Sequence, residues 1–318
     1  MKTTRILVVG SLVMDLIVEA ERFPLPGETV LGRRFGTASG GKGANQAVQA
    51  ARLGADVTMV GMVGQDAFGD EMLASLRAAG VDTRHILRTA QAPSAVGHIQ
   101  IEKTKDHVQN RIVVAPGANL CIAPEHVAFL REEIGQYDMV LLQLEIGMEI
   151  NCLAAGWAAE KGVPVMLNCA PIAPMPAELL KSITYISPNE TEAAALAGIA
   201  VEDTASAIKA SDIRPAIIRA MGVPNVLITL GSRGAAYESG ERLLYSPSVK
   251  GLEVKDTTAA GDSFIGAFCT AIAGGAEAES ALRFANYAAA LTVCRVGAQP
   301  SLPTLEEVKR LMRERGAL

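Results

Sequence analysis

Short runs of β-branched and aliphatic residues alternate along this chain with Ala-rich stretches whose apolar positions recur at helical spacing. "RILVVG" is followed by "GANQAVQAARLG", then "DVTMVGMVG" and "DEMLASLRAAG"; the same rhythm returns in "DMVLLQLE", "EINCLAAGWAAEKG", "VPVMLNCAP", "ITYISPNE" and "TEAAALAG". The alternation predicts an α/β fold, a central mostly parallel sheet flanked by helices on both faces. Ligands of such sheets bind outside the carboxyl ends of the strands. Glu145, Asn168, Asn189 and Thr229 each follow a strand candidate.

Two segments break the rhythm, Val13 to Phe35 and Ala92 to Pro116. In the second, "GHIQIEKTKDHVQNRIVVAP" reads as two strands joined by a polar turn. The expected division is therefore an α/β domain over residues 1–12, 36–91 and 117–318, with a small β-sheet lid over 13–35 and 92–116. Joined into one flap, the lid pieces would exclude water from a reacting site; two ordinary surface hairpins are the alternative. Near the C-terminus, "TLEE" places Glu307 three residues after Thr304, the spacing of a capping box that opens a last helix.

Composition narrows the function classes. At 318 residues, 49% hydrophobic and 20% charged, the chain can bury the core of one large domain with or without a small appendage. A net charge of -5 without any basic run argues against a nucleic-acid stripe or a membrane-binding face. Cys121, Cys152, Cys169, Cys269 and Cys294 lack C-x-x-C spacing, and His85, His98, His107 and His126 lack ligand-like pairing, so they read as packing or surface residues. The N-terminal "MKTTRILVVGSLVMDLIVEA" is interrupted by Asp15 and Glu19 and alternates as a strand does, unlike a signal sequence; the expected compartment is the cytoplasm.

The stretch "DTTAAGDSFIGAF", Asp256 to Phe268, places two carboxylates around small residues just before an apolar helical pattern at Phe264, Ile265, Phe268 and Ile272. Free amides at a helix N-terminus make an anion site, and small residues let the anion approach. An Asp that merely caps a core helix fits the same pattern. "GTASGGKG", Gly36 to Gly43, has P-loop spacing through Lys42, but Gly43 stands where a magnesium-holding Ser or Thr is required, which excludes a P-loop NTPase. What remains is a Gly-rich turn that brings amides and Asn45 near a small polar ligand.

Taken together the motifs resemble the ribokinase, or PfkB, family of sugar kinases. Gly40, Gly41, Gly43, Asn45 and Ala47 are followed at the family spacing by Gly54 and Gly64, and "DTTAAGDSFIGAF", "PNETE", "TLGSRG" and "GAQPS" follow in family order, nearly end to end. The resemblance implies ATP-dependent transfer to a sugar hydroxyl, with Asp262 as general base and the amides of Ala259, Ala260, Gly261 and Asp262 as the anion hole. It assigns the sugar to Asp15, Gly41, Lys42, Asn45, Glu145 and Asp262, with Val13 at a further sugar position. The nucleotide falls to Asn189, Thr229, Gly231, Ser232, Gly234, Gly261 and Asn286, the last of which could equally be a packed polar residue. Asn189 and Glu192 would orient water around a magnesium ion, although their spacing is also that of a helix cap. Asp256, Thr258, Thr292, Arg295, Gly297 and Ser301 match a monovalent-cation site for potassium, mostly through carbonyls. A homodimer built through the lid is also implied.

The chain departs from the family where the first strand usually carries N-x-D, because Val13 replaces the Asn while Asp15 remains. An unpaired sugar hydroxyl costs about 1 to 3 kcal/mol, which raises 2-deoxyribose beside ribose as the acceptor. Phosphorylation at C5 follows from the resemblance alone. Other PfkB acceptors, a ketohexose, a modified sugar or a nucleoside, are the alternatives; a base would need aromatic platforms, and aromatics are 4% of the chain. A non-catalytic sugar-binding regulator would be expected to have lost Asp262 or its loop, and both are intact.

Overall fold

The computed structural model describes residues 3–103, 108–197, 221–240 and 242–318. Its strands are β1 (Arg5–Val9), β2 (Val13–Ala20), β3 (Arg34–Gly40), β4 (Asp56–Gly64), β5 (Asp82–Thr89), β6 (Val96–Lys103), β7 (Val108–Ala115), β8 (Met139–Gln143), β9 (Val165–Asn168), β10 (Tyr185–Ser187), β11 (Asn225–Thr229), β12 (Gly234–Ser239) and β13 (Arg242–Pro247). Nine of them make one sheet in the order β13-β12-β11-β10-β9-β8-β1-β4-β5. It is parallel from β11 through β5, and β12 and β13 close one edge as an antiparallel hairpin. The α/β expectation holds.

Period-two alternation explains why the central strands are mostly apolar. Ile6 and Val8, Met139 and Leu141, and Met166 point to one face of the sheet, into a core shared with the helices Lys42–Arg52, Ala260–Ala273 and Ala278–Thr292. Leu7 and Val9, Val140 and Leu142, and Val165 and Leu167 point to the other, against the helix Met148–Glu160. A strand covered on both faces is apolar along most of its length, and the polar side chains Gln143, Asn168 and Ser187 come at the carboxyl ends of theirs. Phe268 is fully buried at the centre of the first core, among Tyr185, Tyr237 and Phe264.

One helix contact positions the chemistry. The helices Lys42–Arg52 and Ala260–Ala273 pack so closely that a Cβ at Gly266 would stand 2.9 Å from Gln49 Cβ and 3.0 Å from the Gln46 carbonyl oxygen. That approach brings the start of the second helix, with Asp262, onto the polar face Asn45, Gln46 and Gln49 of the first.

The second sheet has four strands in the order β3-β2-β6-β7, with β2 and β6 parallel and the outer pairs antiparallel. Strand β3 runs across residue 36, the expected edge of the lid segment, and the turn joining β6 to β7 lies at 104–107, outside the described residues. Because residues 36–40 are strand, the P-loop-like "GTASGGKG" has no loop with which to cradle a phosphate.

Candidate active site

The site gathers at the carboxyl ends of β1, β8, β9 and β10, beneath the small sheet. Asp262, 8% exposed, is in the first turn of the helix Ala260–Ala273. Its Oδ2 accepts from Asn45 Nδ2 at 2.9 Å and its Oδ1 from Gln46 Nε2 at 3.1 Å. Burial raises the Asp262 pKa, opposed by the Lys42 ammonium and these two donors; Glu145 adds to the rise. A carboxyl raised by burial is a better proton acceptor than an exposed one.

The loop before Asp262 holds the one non-glycine residue with positive φ among the described residues. Ala259 adopts φ 59°, the left-handed region, and its carbonyl accepts from Ser263 N at 2.8 Å. Of the four amides expected to face an anion, that of Ala260 donates to Thr257 O at 3.2 Å. Those of Ala259, Gly261 and Asp262 make no hydrogen bond among the described residues, and a Cβ at Gly261 would meet nothing within 4 Å. Strain of this kind persists where the surrounding structure over-determines it, as at ligand sites.

The Gly-rich turn sits against the end of β1. Gly41 has φ 91°, and a Cβ there would stand 2.7 Å from Val13 N, so no other residue fits both the conformation and the space. Glu145 Oε2 accepts from Lys42 N at 3.0 Å and from Ser11 Oγ at 2.5 Å, and Ser11 Oγ in turn accepts from Gly43 N at 3.2 Å. The Asp15 carboxylate lies between Gly40 and Gly97, where any side chain would displace it: built Cβ atoms stand 2.7 and 2.5 Å from its oxygens. It has no hydrogen bond among the described residues. Burial, then Glu145 and Asp262, push it up to about 7. Burial works to lower the Lys42 ammonium, but Asp262, Glu145 and Glu192 outweigh it and leave it above its ordinary value. Asn45 Oδ1 is buried without a partner, an acceptor aimed into this cluster. Asp15, Glu145, Asp262 and Glu192 are thus coupled electrostatically to Lys42 or to one another, with the Asn45 acceptor left open beside Asp262.

The nucleotide and magnesium candidates lie together on the next strands. Asn189 and Thr229 form a parallel β-bridge, and Arg233 in the following turn pairs with Glu190. Leu230 N donates to Gly234 O at 2.8 Å, closing the turn that holds Gly231 and Ser232. Asn189 Oδ1 accepts from Glu192 N, and Glu192 Oε2 from Asn189 N, both at 2.8 Å, so the capping box is formed. Glu192 is raised by burial, against the Asn189 amide and Lys42, with Asp262 adding to the rise; its carboxylate is thus within electrostatic reach of Asp262. The Asn286 amide nitrogen is committed to Ser246 and Pro247, the packed-residue alternative, and it reaches the strand that pairs with Gly234.

The cation candidates close a different loop pair. Asp256 Oδ1 accepts from Thr258 N at 2.9 Å and Thr258 Oγ1 at 2.6 Å, while Oδ2 accepts from Gly297 N at 2.8 Å. Asp256 therefore ties the two expected carbonyl-bearing loops together. Ser301 Oγ donates to Ala298 O, Thr292 Oγ1 to Ser263 Oγ and Ala288 O, and the Arg295 guanidinium turns away to Glu307.

Ser11, Gln46 and Gln143 were not among the residues expected here. Gln143 Nε2 donates to Gln46 Oε1 at 2.8 Å, and Gln46 Nε2 also reaches Asn168 Oδ1 at 3.3 Å. The available signal was the run Asn45, Gln46 and Gln49 in an otherwise Ala- and Val-rich helix.

A buried carboxylate at an open helix terminus, beside a cluster of polar side chains, fits a phosphotransferase that acts on an alcohol. The chain belongs to the pfkB family of carbohydrate kinases, whose model matches residues 3–305. It is 42% identical to a ribokinase of Bacillus subtilis over 96% of this chain and 99% of that one, and 32% identical to a deoxyribokinase of Salmonella typhi over 95% and 96%. Among solved structures, Arabidopsis thaliana ribokinase complexed with ribose and ATP superposes with a TM-score of 0.87 at 35% identity, over 98% of this chain and 99% of that one.

Proposed function

We propose that this kinase transfers the γ-phosphoryl group of ATP to the C5 hydroxyl of a free pentose, ribose or 2-deoxyribose. The observation that carries the reading is Asp262, buried, oriented by Asn45 and Gln46, and set at a helix start with amides of Ala259, Gly261 and Asp262 free beside it. Asp262 takes the proton of the attacking hydroxyl, and those amides offset charge on the transferring group. Asp15, Glu145, Gly41, Lys42 and the Asn45 carbonyl oxygen hold the sugar. Val13, 4% exposed, presents methyl groups where a sugar hydroxyl would want a partner, which favours the less hydroxylated pentose. Asn189, Thr229, Gly231, Ser232, Gly234 and Asn286 form the nucleotide side.

Magnesium is required with ATP. The Asn189 and Glu192 oxygens keep lone pairs after capping and fit water-mediated contact with an ion carried on the phosphates; among the described residues no cluster of three His, Cys, Asp or Glu offers a cage. The loops tied by Asp256 fit a monovalent cation held by carbonyls of Thr258, Thr292, Arg295, Gly297 and Ser301. Such an ion would supply positive charge next to the 259–262 loop.

The test is ADP release with Mg-ATP across ribose, 2-deoxyribose, other pentoses, ketohexoses and nucleosides, each in potassium, sodium and choline chloride. Preferential turnover of one free pentose, faster in potassium, is the expected result. Turnover of a ketohexose or nucleoside alone would replace the acceptor, and equal rates in the three salts would remove the potassium site. The small sheet leaves Phe35, Ile112 and Val113 more than half exposed, and pairing of two lids would cover them in a homodimer. Light scattering that finds only monomer at micromolar concentration removes that part. Among the described residues no helix is long and apolar enough to cross a membrane. Five free cysteines fit the reducing cytoplasm, which cell fractionation tests.

A further inference from the structure

We propose that Gln46 is a positioning residue for Asp262, fixed in its own orientation by Asn168 and paired with Gln143, and that this buried amide chain sets how the base faces its substrate. The proposal rests on Asp262 being the base.

Gln46 and Gln143 are both fully buried, and neither is among the residues that line the sugar cluster. Gln46 Nε2 donates to Asp262 Oδ1 at 3.1 Å and to Asn168 Oδ1 at 3.3 Å, while its Oε1 accepts from Gln143 Nε2 at 2.8 Å. Of its two amide neighbours, Asn168 is anchored from elsewhere in the fold, whereas Gln143 is held by its strand alone and its Oε1 is buried without a partner. Asn168 Nδ2 donates to Ser187 O at 3.0 Å, which turns its oxygen toward Gln46. Asn151 Nδ2 donates to the Gln143 main-chain oxygen at 2.9 Å, holding the strand end from which Gln143 projects. A flipped Gln46 would set its oxygen against both Asp262 Oδ1 and Asn168 Oδ1 and its NH2 against the NH2 of Gln143. Only one orientation satisfies all three contacts.

The consequence falls on the carboxylate. Asn45 holds Oδ2 and Gln46 holds Oδ1, one donor on each oxygen, which blocks rotation of the Asp262 carboxyl group and leaves its outer lone pairs facing the open loop. Asn45 also borders the sugar cluster, so removing it disturbs binding and orientation together. Gln46 acts from the interior side alone. Loss of its hydrogen bond should therefore appear in kcat and in proton affinity, with sugar and ATP binding little changed.

The experiment compares Gln46→Met and Gln143→Met, each a near-isostere without a donor, with the unmodified protein. The readouts are kcat, both KM values, the acid limb of the kcat profile, melting temperature and an NMR titration of the Asp262 carboxyl carbon. Gln46→Met is expected to lower kcat by about 10-fold or more, move both KM values by less than about 3-fold and shift the acid limb and the carboxyl titration upward by about one pH unit. Gln143→Met should move them in the same direction by less. If Gln46→Met does not fold, Gln143→Met and its titration decide alone. A lower melting temperature with kcat and titration unmoved means that Gln46 is only packing, and overturns the proposal. Full turnover by Asp262→Asn would instead overturn the base assignment.

Discussion

Asp262→Asn should reduce kcat by about 10²- to 10⁴-fold, the range expected when a positioned base is lost, while the protein stays folded. The side chain keeps its shape, so the close approach of the two helices at Gly266 is preserved. Chemistry and stability separate here. The amide cannot accept the hydroxyl proton, whereas burial already disfavours the charged carboxyl, so removing the charge relieves a desolvation penalty. Two local effects oppose that gain: the new NH2 must face Asn45 or Gln46, both of which donate, and Lys42 keeps only Glu145 and Glu192 of its three carboxylates. The two sides nearly cancel, and the melting temperature should remain within a few degrees. A folded Asp262→Asn protein with unmodified turnover would remove Asp262 from the chemistry.

How much of this was legible depended on whether a residue's environment is written in its neighbours. The strands at "RILVVG" and "DMVLLQLE" were legible because burial on both faces leaves an unbroken apolar run, and "DTTAAGDSFIGAF" because a helix start must be small where something approaches it. The amide chain was not legible. Gln46 and Gln143 lie 97 residues apart, and a Gln in a helix carries no local mark of whether it meets water or a carboxylate. The same limit applies to Ala260, whose amide turns back to Thr257 O, a detail of backbone geometry and not of residue type. Asn189 and Glu192 show a different case. Their cap is formed, yet Glu192 stays coupled electrostatically to Lys42 and Asp262, so capping does not withdraw it from the candidate site.

Asp15→Asn should weaken the enzyme and strengthen the fold, with a pH signature that ties the two effects to one proton. The folded protein holds the Asp15 proton up to about 7, because burial and then Glu145 and Asp262 oppose its charge, while the unfolded chain releases it near the ordinary value of 3.8. Between those values the unfolded state binds fewer protons than the native state, so stability falls as pH rises, by up to about 1.4 kcal/mol per unit. The penalty is complete above about pH 7 and absent below about pH 4. Asn carries no such penalty. Its melting temperature should exceed that of the unmodified protein by several degrees at pH 8, and the difference should vanish as pH falls to 4. Activity moves the other way on the proposed sugar site, since both oxygens of an ionised carboxylate between Gly40 and Gly97 accept hydrogen bonds, whereas an amide has one accepting oxygen. At pH 8 kcat/KM for the sugar should drop by about 10- to 10²-fold, the worth of a hydrogen bond to a charged group. The unmodified protein should lose kcat/KM below about pH 7 as Asp15 takes its proton, and the variant should lack that limb. Melting curves from pH 4 to 8 beside sugar kinetics at the same pH values test both halves. A stability difference that does not change with pH would mean that Asp15 is ionised throughout, and that the crowding of carboxylates around Lys42 is fully offset within the site.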